Sequence, residues 1–143
     1  MGIREQVERA LEIQTREIAR WLLDRAEDFE RPREALICTR KLIERPERWT
    51  KQAWARDAQG RIVLPSSPRA CRWSISGALS RVTRARLSQA EEVAYAALRH
   101  AMPPGYCDVM GYENAPGTSH NDILALVDRA IAVLDAEAAR RNH

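Results

Sequence analysis

Apolar residues recur at three- and four-residue steps along the first part of the chain: Ile3, Val7, Ala10, Leu11, Ile18, Trp21, Leu22 and Phe29. That period marks an amphipathic helix, although Gln14 and Arg25 interrupt the stripe. Unbroken over residues 3–30, the helix would run about 40 Å, more than the core of a small domain needs. Part of it is therefore expected to pack on a second copy of the chain. Pro32 is expected to end it, because proline has no amide to give a helix interior. A second helix is predicted over 33–44, with Leu36, Ile37 and Leu42 apolar and Pro46 as its stop.

Helical periodicity then lapses. Asp57-Ala58-Gln59-Gly60 puts Asp first and Gly last in a type I turn. With 53–56 before it and 61–64 after it, the stretch predicts a small β-hairpin. A lone hairpin is marginal in water, so this one should lie against helices. Ser67-Pro68 predicts a capped helix start, and the helix to Val82 carries the stripe Cys71, Ile75, Ala78, Leu79 and Val82. Ser88-Gln89-Ala90-Glu91 has the form of a capping box and opens a helix to about Ala101, which Pro103-Pro104-Gly105 breaks. A connector follows over 106–118. Ser119 then caps the clearest core helix, with Ile123, Leu126, Val127, Ala130, Ile131 and Leu134 apolar and Arg140 and Arg141 near its end. The pattern predicts a mainly α fold: a five-helix single domain with one short β-hairpin near residues 53–64 and a long N-terminal helix. Residues 1–31 would be an added dimerisation element and 32–143 the helical domain.

Composition narrows the class. At 143 residues, 45% hydrophobic and 30% charged, the chain suits one soluble core and is too apolar for a disordered tail. Its longest apolar runs, 123–127 and 130–134, fall far below the roughly 18 residues of a membrane span. The Arg- and Glu-rich start from residue 4 is unlike a secretory signal, and Gln6 stands where a myristoylation signal has Ser or Thr. A cytoplasmic protein without membrane contact is expected. Cys38, Cys71 and Cys107 are an odd, widely spaced set, so reduced and mostly buried thiols are expected rather than a disulfide frame or zinc ribbon.

The net charge of +3 is unevenly spread. No acidic residue occurs from Ala58 to Ala90, where Arg61, Arg69, Arg72, Arg81, Arg84 and Arg86 fall. Guanidinium groups on phosphates with tryptophans for stacking would suit nucleic acid. The arginines scatter around the helical wheel, however, and no recognition motif accompanies them. A solvated surface paired with the acidic N-terminal helix is favoured over a nucleic-acid interface.

Candidate chemistry is sparse. On the wheel Trp73 lies opposite the 71–75–78 stripe, on a face of small residues including Ser76, Gly77 and Ser80. Two readings stay open there: the hairpin or N-terminal helix covers that face, or Trp73 and Arg72 line a surface pocket. Asp57, His100, Cys107, Asp108, Glu113 and His120 are the titratable candidates, but no His-x-x-x-His or Glu-x-x-His spacing offers a metal site. No cofactor, metal or catalytic residue is assigned. The loop Tyr112-Glu113-Asn114-Ala115-Pro116-Gly117 would shape itself on backbone amides or carry binding groups. The surface expected to bind joins Trp49, Arg56 and Asp57 with Arg72, Trp73, Glu113 and Asn114.

Trp49-Thr50-Lys51-Gln52-Ala53, Ala55-Arg56-Asp57, Gly60, Trp73 through Gly77-Ala78-Leu79, Asn114, and Ser119 with Ile123 to Ile131 together resemble an uncharacterised bacterial domain family of unknown function. The resemblance covers about residues 34–135 and implies a small helical domain with no established activity. That pattern has Cys where this chain has Ser74, and Asn-Asp where it has Glu113-Asn114. The expected function is a non-enzymatic binding or regulatory module of a bacterium or its phage. Its expected partners are a second copy of the chain and a protein or small molecule. A nucleic-acid binder using Arg61–Arg86 is the first alternative. A small hydrolase or transferase with a Cys or carboxylate site is the second.

Overall fold

The computed structural model describes residues 2–84 and 89–142. Its elements are α1 (Ile3–Arg25), α2 (Glu30–Leu42), a 3-10 turn (Pro46–Arg48), β1 (Ala55–Arg56), β2 (Arg72–Trp73), α3 (Ile75–Val82), α4 (Gln89–Ala101), α5 (Val109–Asn114) and α6 (His120–Arg141). The protein is mainly helical, as its periodicity predicts. Among the described residues it has one more α-helix than the sequence suggests, because α5 forms inside the 106–118 connector.

The long N-terminal helix ends sooner than expected. Ala26 turns extended, at φ −64° and ψ 135°, and the Asp28 carboxylate accepts from the Glu30 amide to start α2. Pro32 does not stop a helix but sits in the first turn of α2, where no intrahelical amide is required. From the other end of the chain, Arg141 donates to the carbonyls of Leu23, Asp24 and Ala26, satisfying acceptors that a helix end leaves open. Arg20 and Arg140 meet on Glu137 at 2.6 Å each. These bonds, Arg20's foremost, hold its carboxyl down to about 2.

Helices α1, α2 and α6 surround α4, and α2 also packs on α3. Ala19 and Leu23 of α1, Leu36 of α2, Leu98 of α4 and Ile123, Leu126, Val127 and Leu134 of α6 are all fully buried. The stripe expected along α6 is therefore the seam that enters the core, and Ser119 with Asp122 closes a full capping box at its start. In α3 every residue from Ile75 to Ser80 is buried, as expected of a helix covered on all sides. The capping box proposed at Ser88 lies outside the described residues.

Two expectations need correction near the hairpin. The turn forms as predicted, with Gly60 donating to the Asp57 carbonyl at 3.0 Å and standing at φ +80°. Yet the ordered antiparallel pair is β1 with β2, Ala55 opposite Trp73 and Arg56 opposite Arg72. The 61–64 arm adds only a bridge from Ile62 to Arg56 and a bond from the Val63 amide to Ala55. Because residues 71–74 serve this sheet, the helix does not begin at Ser67-Pro68. Ser67 instead forms a turn with Arg69 and Ala70, and Ser74 is the cap of α3.

Candidate functional site

Three segments meet at the α3 N-terminus: the loop 49–54, the β2–α3 junction and the end of α5. Gly77 permits the meeting. A β-carbon built there would lie 1.7 Å from the Trp54 carbonyl oxygen, so only glycine lets α3 touch that backbone. Ser74 caps α3 by accepting from the Gly77 amide at 3.1 Å. The loop is pinned to α5: the Gln52 amide donates to Asn114 Oδ1 at 2.9 Å and Lys51 Nζ to the Ala115 carbonyl at 2.8 Å. Gln52 holds φ +61°, a left-handed conformation rarely adopted outside glycine.

At the centre stands Glu113, 2% exposed. Its Oε2 accepts from Trp49 Nε1 at 2.8 Å and from the Ile75 amide at 2.9 Å. Burial pushes its carboxyl up to about 7, against these two bonds and the charge of Lys51, which pull it down. Neither bond uses Oε1. Glu113 lines a pocket of about 290 Å³ together with Gln52, Ala53, Trp54, Ser74, Ser76, Met110 and Asn114. Trp54 is 53% and Met110 47% exposed, so a ring and a thioether flank its mouth.

The residues expected to bind divide into two groups. Glu113 and Asn114 line this pocket, and Trp49 joins them through its bond to Glu113. Asp57 is buried and closes its turn, accepting from the Gln59 and Arg61 amides and from Arg61 Nε. Burial alone would raise its carboxyl, but those donors outweigh it and hold the group below its ordinary value. Arg56 braces the same turn through Thr50 Oγ1 and the Gly60 carbonyl. Arg72 is exposed on β2. Trp73 is no surface ring: it is 4% exposed, lies on a strand rather than a helix, and donates to the Pro65 carbonyl at 3.1 Å. The correction has a plain cause, since a helical wheel cannot place a residue whose backbone is extended.

The acid-free stretch is partly spent within the fold. Arg61 pairs with Asp57. Arg81 lies over the Trp73 ring, 5.7 Å from its centroid, and donates to the carbonyls of Pro65 and Ser67. Carbonyl oxygens thus take the place of the expected acidic partners at Arg81. Arg86 lies outside the described residues. The cysteines are free thiols, as expected, but less buried: Cys38 is exposed, and Cys71 and Cys107 are half-buried. Cys107 donates to the Glu8 carbonyl at 3.5 Å. Asp108 caps α5, and His120 Nε2 contacts the Ile43 carbonyl at 2.7 Å. Among the described residues no three His, Cys, Asp or Glu side chains cluster as metal ligands, and no helix is long and apolar enough to cross a membrane.

A family model matches residues 28–133, so it spans the whole pocket and most of the core. The chain belongs to DUF6197, a family of unknown function. No curated protein and no solved structure matches it. The DUF6197 match begins after α1, so the pocket lies within the shared domain and the long helix precedes it. Gln52, Ala53, Trp54, Ser74, Ser76 and Met110 also line the pocket and were not among the residues expected to bind. Ser74-x-x-Gly77 was the available signal, but Ser67-Pro68 is the stronger cap by composition.

Proposed function

We propose that this chain is a non-enzymatic binding or regulatory module of a bacterium or its phage, working in the cytoplasm and taking a small ligand in the pocket beside Trp54. The observation that carries the reading is Glu113, buried to 2% exposure, with one oxygen fixed by two donors and its carboxyl lining the cavity. Its other oxygen is left for the cavity, where a bound group can donate to it in a charge-assisted bond. Small-molecule sites are concave, mostly apolar and carry a few placed polar groups. The family model adds no activity to this reading.

A fragment library screened by amide and indole NMR tests it. Compounds are expected to move the Ile75 amide and the Trp49 and Trp54 indole signals. Ala53→Leu, which narrows the cavity, should weaken such compounds about tenfold, equivalent to about 1.4 kcal/mol, with the remaining spectrum unchanged. A library in which no compound moves those three signals would overturn the reading.

The module is further proposed to act as a homodimer through α1. Ile3, Val7, Leu11, Ile18 and Trp21 share one face of that helix and are all exposed, while Ala19 and Leu23 on another face fill the core. Five such side chains present on the order of 500 Å² per copy, approaching the roughly 800 Å² per partner of a standard interface. Arg4, Arg9, Arg16, Arg20 and Arg25 balance Glu5, Glu8, Glu12, Glu17 and Asp24 along the same helix. A second copy therefore meets no net like charge. Sedimentation should give twice the 16.3 kDa of one chain, and the double variant Leu11→Glu, Trp21→Glu should sediment as a folded monomer. A wild-type mass of one chain would refute the dimer.

A further inference from the structure

We infer that the Glu113 pocket takes an organic cation, an ammonium or amidinium group carried on a small apolar or aromatic body. This rests on the reading of the pocket as a ligand site and adds the chemistry of what enters it. The charge argument comes from the lining. Of its eight residues, Glu113 alone is ionisable, so this carboxyl sets the electrostatic sign of the cavity. Its Oε2 is saturated by Trp49 and Ile75. Oε1 is not among the buried side-chain atoms sealed away without a partner, and it is the oxygen left for the cavity.

An anion is the ligand a helix N-terminus usually attracts, and α3 begins here. Of its first three amides, two are already taken, however: Ile75 by Glu113 and Gly77 by Ser74 Oγ. A carboxylate at that position repels a second anion. A metal ion is equally ill served, since no cluster of three ligating side chains occurs among the described residues. A nitrogen cation needs only one carboxylate oxygen for a charge-assisted bond. The exposed Trp54 ring supplies a face for cation–π contact or for stacking an aromatic body, and Met110 offers a soft apolar wall. Lys51, the cation nearest in sequence, is turned aside onto the Ala115 carbonyl and lies 5.6 Å from the Trp49 ring centroid. Burial outweighs its two bonds and the Lys51 charge and keeps Glu113 partly protonated near neutrality, so an entering cation stabilises its charged form.

Three probes of one shape test the inference: benzylammonium, neutral benzyl alcohol and anionic benzoate, titrated onto the full chain by amide and indole NMR. Benzylammonium is expected to move the Trp49 and Trp54 indoles and the Ile75 amide with millimolar affinity, and benzoate to leave them still. Glu113→Gln should weaken benzylammonium at least about tenfold and leave benzyl alcohol unchanged. If benzyl alcohol binds wild type as tightly as the ammonium, or Glu113→Gln binds the ammonium as wild type does, the cation falls and the pocket stands. If no probe moves these signals through the millimolar range, both readings fall.

Discussion

Gly77→Ala is expected to destabilise the protein by about 3 kcal/mol or more and to erase the pocket. The added methyl group would lie 1.7 Å from the Trp54 carbonyl oxygen and 2.6 Å from its carbon. Both are backbone atoms, so no rotamer change relieves the overlap. Either the loop lifts, breaking the bond from the Ser74 amide to the Trp54 carbonyl at 3.2 Å, or α3 shifts inside a core where all its first six residues are buried. Helix propensity favours alanine by only about 1 kcal/mol, too little to compensate. Gly117→Ala is the control: nothing stands within 4 Å of the atom it adds, and a change within about 0.5 kcal/mol is expected. Urea unfolding of the two variants measures the difference. Equal midpoints would show that the loop and α3 do not meet as described.

Glu113→Gln should alter the pH dependence of stability in one direction. Burial raises the folded-state carboxyl from 4.5 to about 7, so the folded protein holds this proton more tightly than the unfolded chain. The contribution is fully present below pH 4.5 and is lost as pH rises through 7. The loss amounts to roughly 3 kcal/mol. Other groups slope differently. His100, half-buried on α4 beside α1, titrates below its ordinary 6.5 through burial and the charges of Arg20 and Arg16, which outweigh Glu137. Its contribution is present above that value and lost as pH falls. Glu137, held near 2, acts at still lower pH. Subtracting the variant's profile from that of wild type isolates Glu113: glutamine keeps the shape and an acceptor for Trp49 and Ile75 but does not titrate. A difference profile flat between pH 4.5 and 7 would mean that the carboxyl is not buried as placed.

The balance between these groups has a functional side. Structural ion pairs such as Arg20–Glu137 and Arg40–Asp128 join helix to helix, and each carboxylate there gains a cation. Glu113 gains two neutral N–H donors and the charge of Lys51, which is itself bonded to the Ala115 carbonyl. Such a strongly perturbed carboxyl beside a cavity is what marks a candidate functional group, and it separates Glu113 from Asp57, whose donors complete a turn.

Much of the fold was legible in the residue pattern because helices read locally. The 3.6 period in 120–141 and its Ser119 cap locate α6 almost to the residue. The turn at Asp57–Gly60 follows from side-chain chemistry within four residues. The break after Arg25 was hidden, because its stabilising partner Arg141 lies at the far end of the chain. Trp49, Glu113 and Asn114 stood out as polar or aromatic groups the core stripes did not use, and they do converge. Trp73 carried the same signal and went inside, since the pairing of residues 55 and 73 is a contact between distant segments.

The sequence by itself thus determined that the chain is mainly helical, where α1, α4 and α6 begin, and which faces of its helices are apolar, since these depend on neighbours within a turn or two. Only the tertiary structure decided which apolar face of α1 is covered, why Gly77 cannot be another residue, and which of Glu113's oxygens is free. Each of those depends on where a remote backbone or side chain lies, and local periodicity carries no information about that distance.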